Sequence, residues 1–187
     1  MTTKFSLAAA TLSVASLAAA STQSAAQNFT SVEGTVVEYY DVDGKSPKDL
    51  REQMNTLGPL SLDKTERFDA FAAYRYAWQL RQRSDNSCEA RIKLDSKVTF
   101  PRLVDRTKLK KKALAQWDAY LAALERHEIG HLALTYGAFK ELQTALEAGP
   151  CDTASERGRA VLKSLSARHI AFDEETDHGA STGARFP

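Results

Sequence analysis

The segment HEIGH, residues 127–131, is the most informative part of this chain. On an α-helix, residues four apart lie one turn apart on the same face, so the imidazoles of His127 and His131 can converge on one ion. Glu128 lies roughly 60 to 100 degrees around the helix from them, where it can reach a water at the ion without binding the ion itself. Two histidines with a neighbouring carboxylate are the arrangement that a zinc hydrolase needs. The motif therefore predicts a zinc (Zn2+) site with Glu128 as general base.

The residues on either side of the motif predict a long helix. Between residues 107 and 148, apolar side chains recur near a period of 3.6. A single helix of that length is unusual, so we expect a break near Gly130 or Gly137 and an end at the Gly-Pro pair of residues 149–150. A last helix is predicted over residues 153–172.

A third metal ligand is expected from the C-terminal part of the chain, because a catalytic zinc site takes three protein ligands and leaves a fourth position for water. His178 precedes Gly179, where the backbone can bend towards a metal. This gives His178 a modest preference, with Asp173 and His169 as the alternatives.

Three stretches upstream predict β-strands, near residues 35–42, 70–82 and 89–100. The second alternates aromatic and polar residues with the period of two that marks a half-buried strand. A turn at residues 84–87 separates the second stretch from the third, so we expect them to pair as an antiparallel hairpin.

We therefore expect an α+β fold in which a small, mainly antiparallel sheet packs on the motif helix and on the C-terminal helix. A short helix is predicted near residues 47–57, where Ser46 can cap it and Pro47 can occupy its first position. The hairpin strand around residues 93–100 is our candidate for a sheet edge that holds an extended substrate.

The N-terminal residues 1–26 have the pattern of a secretory signal peptide. Lys4 provides the positive charge, a weakly apolar run follows, and small residues at 24–26 suit cleavage before Gln27. The run is too short and too polar for a stable membrane span. We expect an exported protein, periplasmic or secreted, in which residues 27–187 form a single domain.

Charge and cysteine content indicate which partners and which compartment to expect. The 187 residues include 25 Lys and Arg and 24 Asp and Glu, and removal of the signal segment leaves 24 of each. General attraction to nucleic acid or anionic membranes is therefore not expected, and the lysines at residues 108–112 are interpreted as a solvated helix start. Cys88 and Cys151 are the only cysteines, which in an exported chain suggests one disulfide.

Together the motifs resemble a bacterial family of predicted secreted zinc-dependent proteases, a family catalogued as a domain of unknown function. The resemblance rests on HExGH at residues 127–131 and FDxxTxHG at residues 172–179, and it extends upstream through YYxVxG at residues 39–44. It implies a zincin-like peptidase covering nearly the whole mature chain. Phe172 stands where we expect Tyr in the family pattern.

By position, the resemblance implies His178 as third ligand. It leaves Asp173 as an alternative ligand or as a partner that orients a histidine through its ring N–H. Thr176 is expected to cap the turn, and His169 could instead polarise a substrate carbonyl.

Two functions follow from these patterns. The first is a zinc-dependent peptidase that cleaves peptide or amide bonds in peptide or protein substrates. The alternative is a non-catalytic exported metal-binding or protein-binding module with a structural zinc site, which would be closed by four protein ligands. We favour the peptidase, because a purely structural site has no need of Glu128 beside His127. The sequence gives no indication of the oligomeric state.

Overall fold

The computed structural model describes residues 34–61 and 64–187, and it has the α+β composition expected from the sequence. The predicted signal segment, residues 1–26, lies outside the described residues. Three strands and three α-helices follow one another along the chain: β1 (Thr35–Val42), α1 (Pro47–Leu57), β2 (Phe71–Gln82), β3 (Cys88–Leu103), α2 (Lys111–Glu147) and α3 (Cys151–Thr176).

The strands form one sheet in the order β1-β3-β2. The predicted hairpin is confirmed, since β2 pairs antiparallel with β3. In contrast, β1 pairs parallel with β3, so the sheet is mixed and not mainly antiparallel as expected. A parallel neighbour needs a long crossover connection, and here α1 and β2 both lie between β1 and β3 along the chain.

The choice of residues 93–100 as a sheet edge is wrong. They belong to β3, the central strand, which pairs with β2 through residues 88–99 and with β1 through residues 96–103. Within the described part of the chain, β2 pairs on one side only, so its other side is an edge of the sheet.

Helix α1 begins and ends where its local chemistry requires. The Ser46 side chain accepts a hydrogen bond from the Asp49 amide, and the Asp49 carboxylate accepts one from the Ser46 amide, which completes a capping box. Pro47 occupies the first turn. The helix buries Leu50 and Met54 completely against the core.

Helix α2 runs for 37 residues without interruption, so the predicted break near Gly130 or Gly137 is wrong. One helical glycine costs only about 1 kcal/mol relative to alanine. At Gly130 the absence of a side chain serves packing, because an added Cβ would lie 2.4 Å from the Phe172 ring of α3. The glycine thus lets the two helices approach closely.

The core lies between the sheet and the two long helices. Its largest fully buried side chain is Trp117 on α2. The predicted disulfide is confirmed between Cys88 at the start of β3 and Cys151 at the start of α3. Among the helices of the described segments, none is long and apolar enough to span a membrane.

Candidate metal centre

Three predicted donor atoms meet between α2 and α3. The Nε2 atoms of His127 and His131, one turn apart on α2, lie 3.2 Å from each other. The Oδ1 atom of Asp173 on α3 lies 3.2 Å from the first of these nitrogens and 2.9 Å from the second. The structure thus brings together two imidazoles and one carboxylate.

This triangle of atoms fits the ligand geometry of zinc. Zinc binds histidine nitrogen at about 2.0–2.1 Å, so two ligands of one tetrahedral ion lie roughly 3.3 Å apart. The spacings in the cluster, from 2.9 to 3.2 Å, are close to this value. Two neutral nitrogens and one anionic oxygen are also a donor set that zinc favours. The residues present therefore suit a bound Zn2+.

The carboxylate of Asp173 is held in its charged form. Burial would raise the pKa of Asp173, but hydrogen bonds and charge interactions with His127 and His131 outweigh it, so the pKa lies well below its usual range. An ionised carboxylate next to two imidazoles is prepared to bind a cation.

The imidazole of His127 is fixed from two directions. Its Nδ1 atom lies 3.4 Å from the hydroxyl oxygen of Thr176, and that hydroxyl donates to the Phe172 carbonyl at 2.7 Å. The Thr176 oxygen is therefore free to accept the Nδ1 proton, which leaves Nε2 as the lone-pair nitrogen. The ring of Phe172 stacks on His127 with a centroid separation of 5.1 Å. Thr176 thus contacts the site directly.

Glu128 has the environment of a proton acceptor. Its side chain is buried, and this burial raises its pKa to about 7, against the opposing effects of His131 and His127. A hydrogen bond from the Ala72 backbone on β2 also favours the charged form. A carboxylate with a pKa near neutrality is suited to both accept and return a proton.

A cavity of about 710 Å³ extends from the donor atoms to β2. One wall is the segment of residues 67–74, which contains the start of β2, and the other is formed by α2 and α3. Tyr74 and Ile170 contribute apolar surface to the lining, and His178 and Arg185 contribute polar groups. The cavity is large enough for several residues of a peptide.

The structure places the remaining predicted residues around the cluster. The His178 side chain is 74% exposed, and its Nδ1 atom lies 3.9 Å from Asp173 Oδ1. His178 follows the left-handed helix end at Asp177, and its backbone N–H donates to the Asp173 carbonyl. The Nδ1 atom of His169 lies 2.9 Å from Nδ1 of His131, on the side of that ring away from the donors. The choice of third ligand stays a prediction.

The sequence patterns do not single out Ala72 or Tyr74, which line the cavity from β2. The alternation in this strand shows which side chains are half-buried, but it contains no information on which strand edge lies beside the motif helix. The small residues at positions 70, 72 and 73 were the available signal, since they leave the backbone accessible.

The fold and site thus define an α+β protein with a His/Asp cluster on two packed helices, beside a buried glutamate. Residues 37–179 match the family model described as "Bacterial protein of unknown function (DUF922)". This match includes the whole cluster, and the chain belongs to this family. Comparisons with curated proteins and with solved structures find no match.

Proposed function

We propose that this protein is an exported zinc-dependent peptidase with a zincin-like site. The observation that carries the proposal is the triangle of donor atoms from His127, His131 and Asp173, next to the buried carboxylate of Glu128. In this proposal Asp173 is the third ligand, because its oxygen already lies within 3.2 Å of both imidazole nitrogens. His178 remains the alternative from the sequence.

The chain's own residues divide the chemistry between them. Bound zinc would supply a Lewis acid that polarises a water molecule and the scissile carbonyl. Glu128 takes the proton of the attacking water on its carboxylate and returns it to the leaving amine. The hydrogen bond from the Ala72 amide keeps the carboxylate in place. In this proposal His178, which is exposed and lines the cavity, contacts a substrate carbonyl.

The substrate is proposed to be an extended peptide that pairs with the outer edge of β2. Residues 70–74 of this region line the cavity, and the opposite side of the strand is already paired with β3. Main-chain hydrogen bonds to a strand edge hold a peptide with little dependence on its sequence. The small side chains at positions 70, 72 and 73 leave room for such a peptide.

The alternative function is a structural metal site in a non-catalytic exported module. The observation that favours it is the position of the cluster, which links α2 to α3 and would stiffen their contact. A structural site is normally closed by four protein ligands. Here the three closely spaced donors border a large cavity, so the arrangement favours the peptidase.

The export part of the proposal rests on residues 1–26 and on the disulfide between Cys88 and Cys151. Disulfides form and persist in oxidising compartments such as the bacterial periplasm or the extracellular space. Peptide or protein substrates in those compartments are the proposed targets.

The test is cleavage of a random library of fluorescence-quenched peptides by zinc-loaded protein. Glu128→Gln should keep zinc but lose at least about 10²-fold in rate, because the general base is removed. Glu125→Gln is the matched control, since Glu125 lies on the same helix but does not line the cavity; it should cleave like the wild type. A Glu128→Gln protein that cleaves at the wild-type rate would contradict the mechanism.

A further inference from the structure

His169 has an unusual relation to the proposed ligand His131. Their Nδ1 atoms lie 2.9 Å apart, and their rings stack with centroids 5.1 Å apart at an interplanar angle of 25°. Two imidazole nitrogens at this distance share one proton, so one donates and the other accepts. The direction of that hydrogen bond determines which nitrogen of His131 can bind a metal.

We propose that His169 is a positioning residue that accepts the Nδ1 proton of His131 and thereby holds the Nε2 lone pair of His131 towards the metal position. This inference rests on the proposed zinc site. It assigns His169 no contact with the metal or with the substrate.

A further pair of hydrogen bonds supports this direction. The Nε2 atom of His169 lies 3.4 Å from the hydroxyl oxygen of Thr135. The Thr135 hydroxyl in turn donates to the His131 carbonyl at 3.0 Å. Because the Thr135 proton is used for that carbonyl, its oxygen accepts from His169 Nε2–H. A neutral His169 protonated on Nε2 has its lone pair on Nδ1, which is the acceptor that His131 requires.

The surroundings of His169 keep it in this position. Its ring stacks on Tyr74 of β2, with centroids 5.1 Å apart and an interplanar angle of 24°. Thr135 is fully buried in α2. Both ring nitrogens of His169 face partners other than the donor triangle, so the geometry favours positioning over the ligand role considered from the sequence. Partners of this kind typically change metal affinity by about 10–100-fold.

The experiment measures zinc affinity by competition with a chelator, together with nitrogen-15 NMR of the zinc-loaded protein. In the wild type, a scalar coupling should connect Nδ1 of His131 with Nδ1 of His169 across their hydrogen bond. His169→Leu removes the acceptor and should weaken zinc binding by about 10–100-fold. His169→Asn places an amide oxygen near the Nδ1 position and should restore most of the affinity. Lys163→Ala, on the same helix α3 but exposed and outside the cavity lining, is the control that should bind zinc like the wild type.

Thr135→Val provides a second, nearly isosteric test that leaves His169 in place. It removes the acceptor for His169 Nε2–H and should also weaken zinc binding, by a smaller factor than His169→Leu. The inference is overturned if His169→Leu and Thr135→Val both bind zinc as tightly as the wild type. It is also overturned if zinc binds a His169 nitrogen. A folded wild type that binds no zinc would overturn the proposed function itself, which is a different result from tight binding by the variants.

Discussion

Glu128 combines two properties that oppose each other energetically. Its carboxylate is almost completely buried, at 4% exposure, where a charge is costly. The same burial raises its pKa to about 7, which is the property that a general base needs. At the scale of single residues, burial of this carboxylate therefore reduces the stability of the fold, and it provides the pKa that the proposed proton transfer needs.

This conflict predicts a pH-dependent gain in stability for Glu128→Gln in the metal-free protein. The folded state binds the Glu128 proton more tightly than the unfolded state, whose pKa is near 4.5. The contribution of Glu128 to the free energy of unfolding should therefore fall as pH rises from about 4.5 to about 7 and then stay level. The glutamine amide does not titrate. The free energy of unfolding of the variant, relative to that of the wild type, should therefore rise by on the order of 3 kcal/mol by about pH 8. Urea unfolding with a chelator present measures this.

The matched surface variant for that experiment is Glu141→Gln. Arg168 holds the pKa of Glu141 below its usual value by hydrogen bonding, so its charged form is stabilised in the fold. Glu141→Gln should therefore show no gain as the pH rises. An equal and pH-independent effect of both substitutions would contradict the assigned environment of Glu128.

At the scale of elements, the site depends on how closely α2 and α3 pack. Phe172 fills the space over Gly130 and contacts the rings of both His127 and His131. Asp173, the next residue on α3, is thereby positioned at the imidazoles. Gly130 thus permits the close helix contact that brings Asp173 near the imidazoles.

Gly130→Ala should therefore reduce stability and zinc affinity together. The added Cβ would lie 2.4 Å from the Phe172 ring and push α3 away, at a cost of about 1–3 kcal/mol. Zinc affinity should fall because Asp173 moves with α3. Thermal unfolding and chelator competition measure the two effects.

Gly137→Ala is the control on the same helix. An added Cβ there meets nothing within 4 Å, so the variant should gain about 0.5–1 kcal/mol from the better helix former and bind zinc unchanged. If both alanine variants had the same effect, the role assigned to the Gly130 contact would be contradicted.

Local sequence patterns predict most of the helices and strands, but they do not predict which of these elements lie next to each other. The Ser46 cap and the alternation in β2 depend on residues close in sequence, and both are confirmed. The parallel pairing of β1 and the continuity of α2 depend on distant contacts, which periodicity does not encode.

In the candidate site, too, some residues follow from local sequence geometry and others depend on contacts that are distant in sequence. The pair His127 and His131 follows from helix geometry alone. The position of Asp173 depends on where α3 ends: the sequence predicts an end at residue 172, whereas the helix continues to Thr176. Asp173 therefore still faces α2 from a helical position, and His178 lies beyond the helix end.

At the scale of the whole molecule, two links connect α3 to the rest of the chain. The disulfide joins Cys151 at its start to Cys88 on β3, and the His/Asp cluster lies near its other end. Because α3 is held at both ends, Asp173 stays next to the imidazoles of α2. It does so although it lies more than 40 residues from the motif in sequence.

Removal of the disulfide should therefore destabilise the whole domain. The bond closes a loop with a sequence separation of 63, for which chain entropy gives about 4 kcal/mol. The double variant Cys88→Ala, Cys151→Ala should show this loss in urea unfolding of the metal-free protein. An unchanged unfolding midpoint would mean that the contacts of β3 with α3 hold the helix without the bond.

The most direct test of the proposed metal centre is the zinc content of the purified mature protein, measured by elemental mass spectrometry after saturation with zinc and removal of the excess. We expect one zinc per chain in the wild type and in His178→Ala, and its loss in His127→Ala and Asp173→Ala. Retention in Asp173→Ala together with loss in His178→Ala would move the third ligand to His178. A folded wild type without zinc would contradict the metal centre altogether.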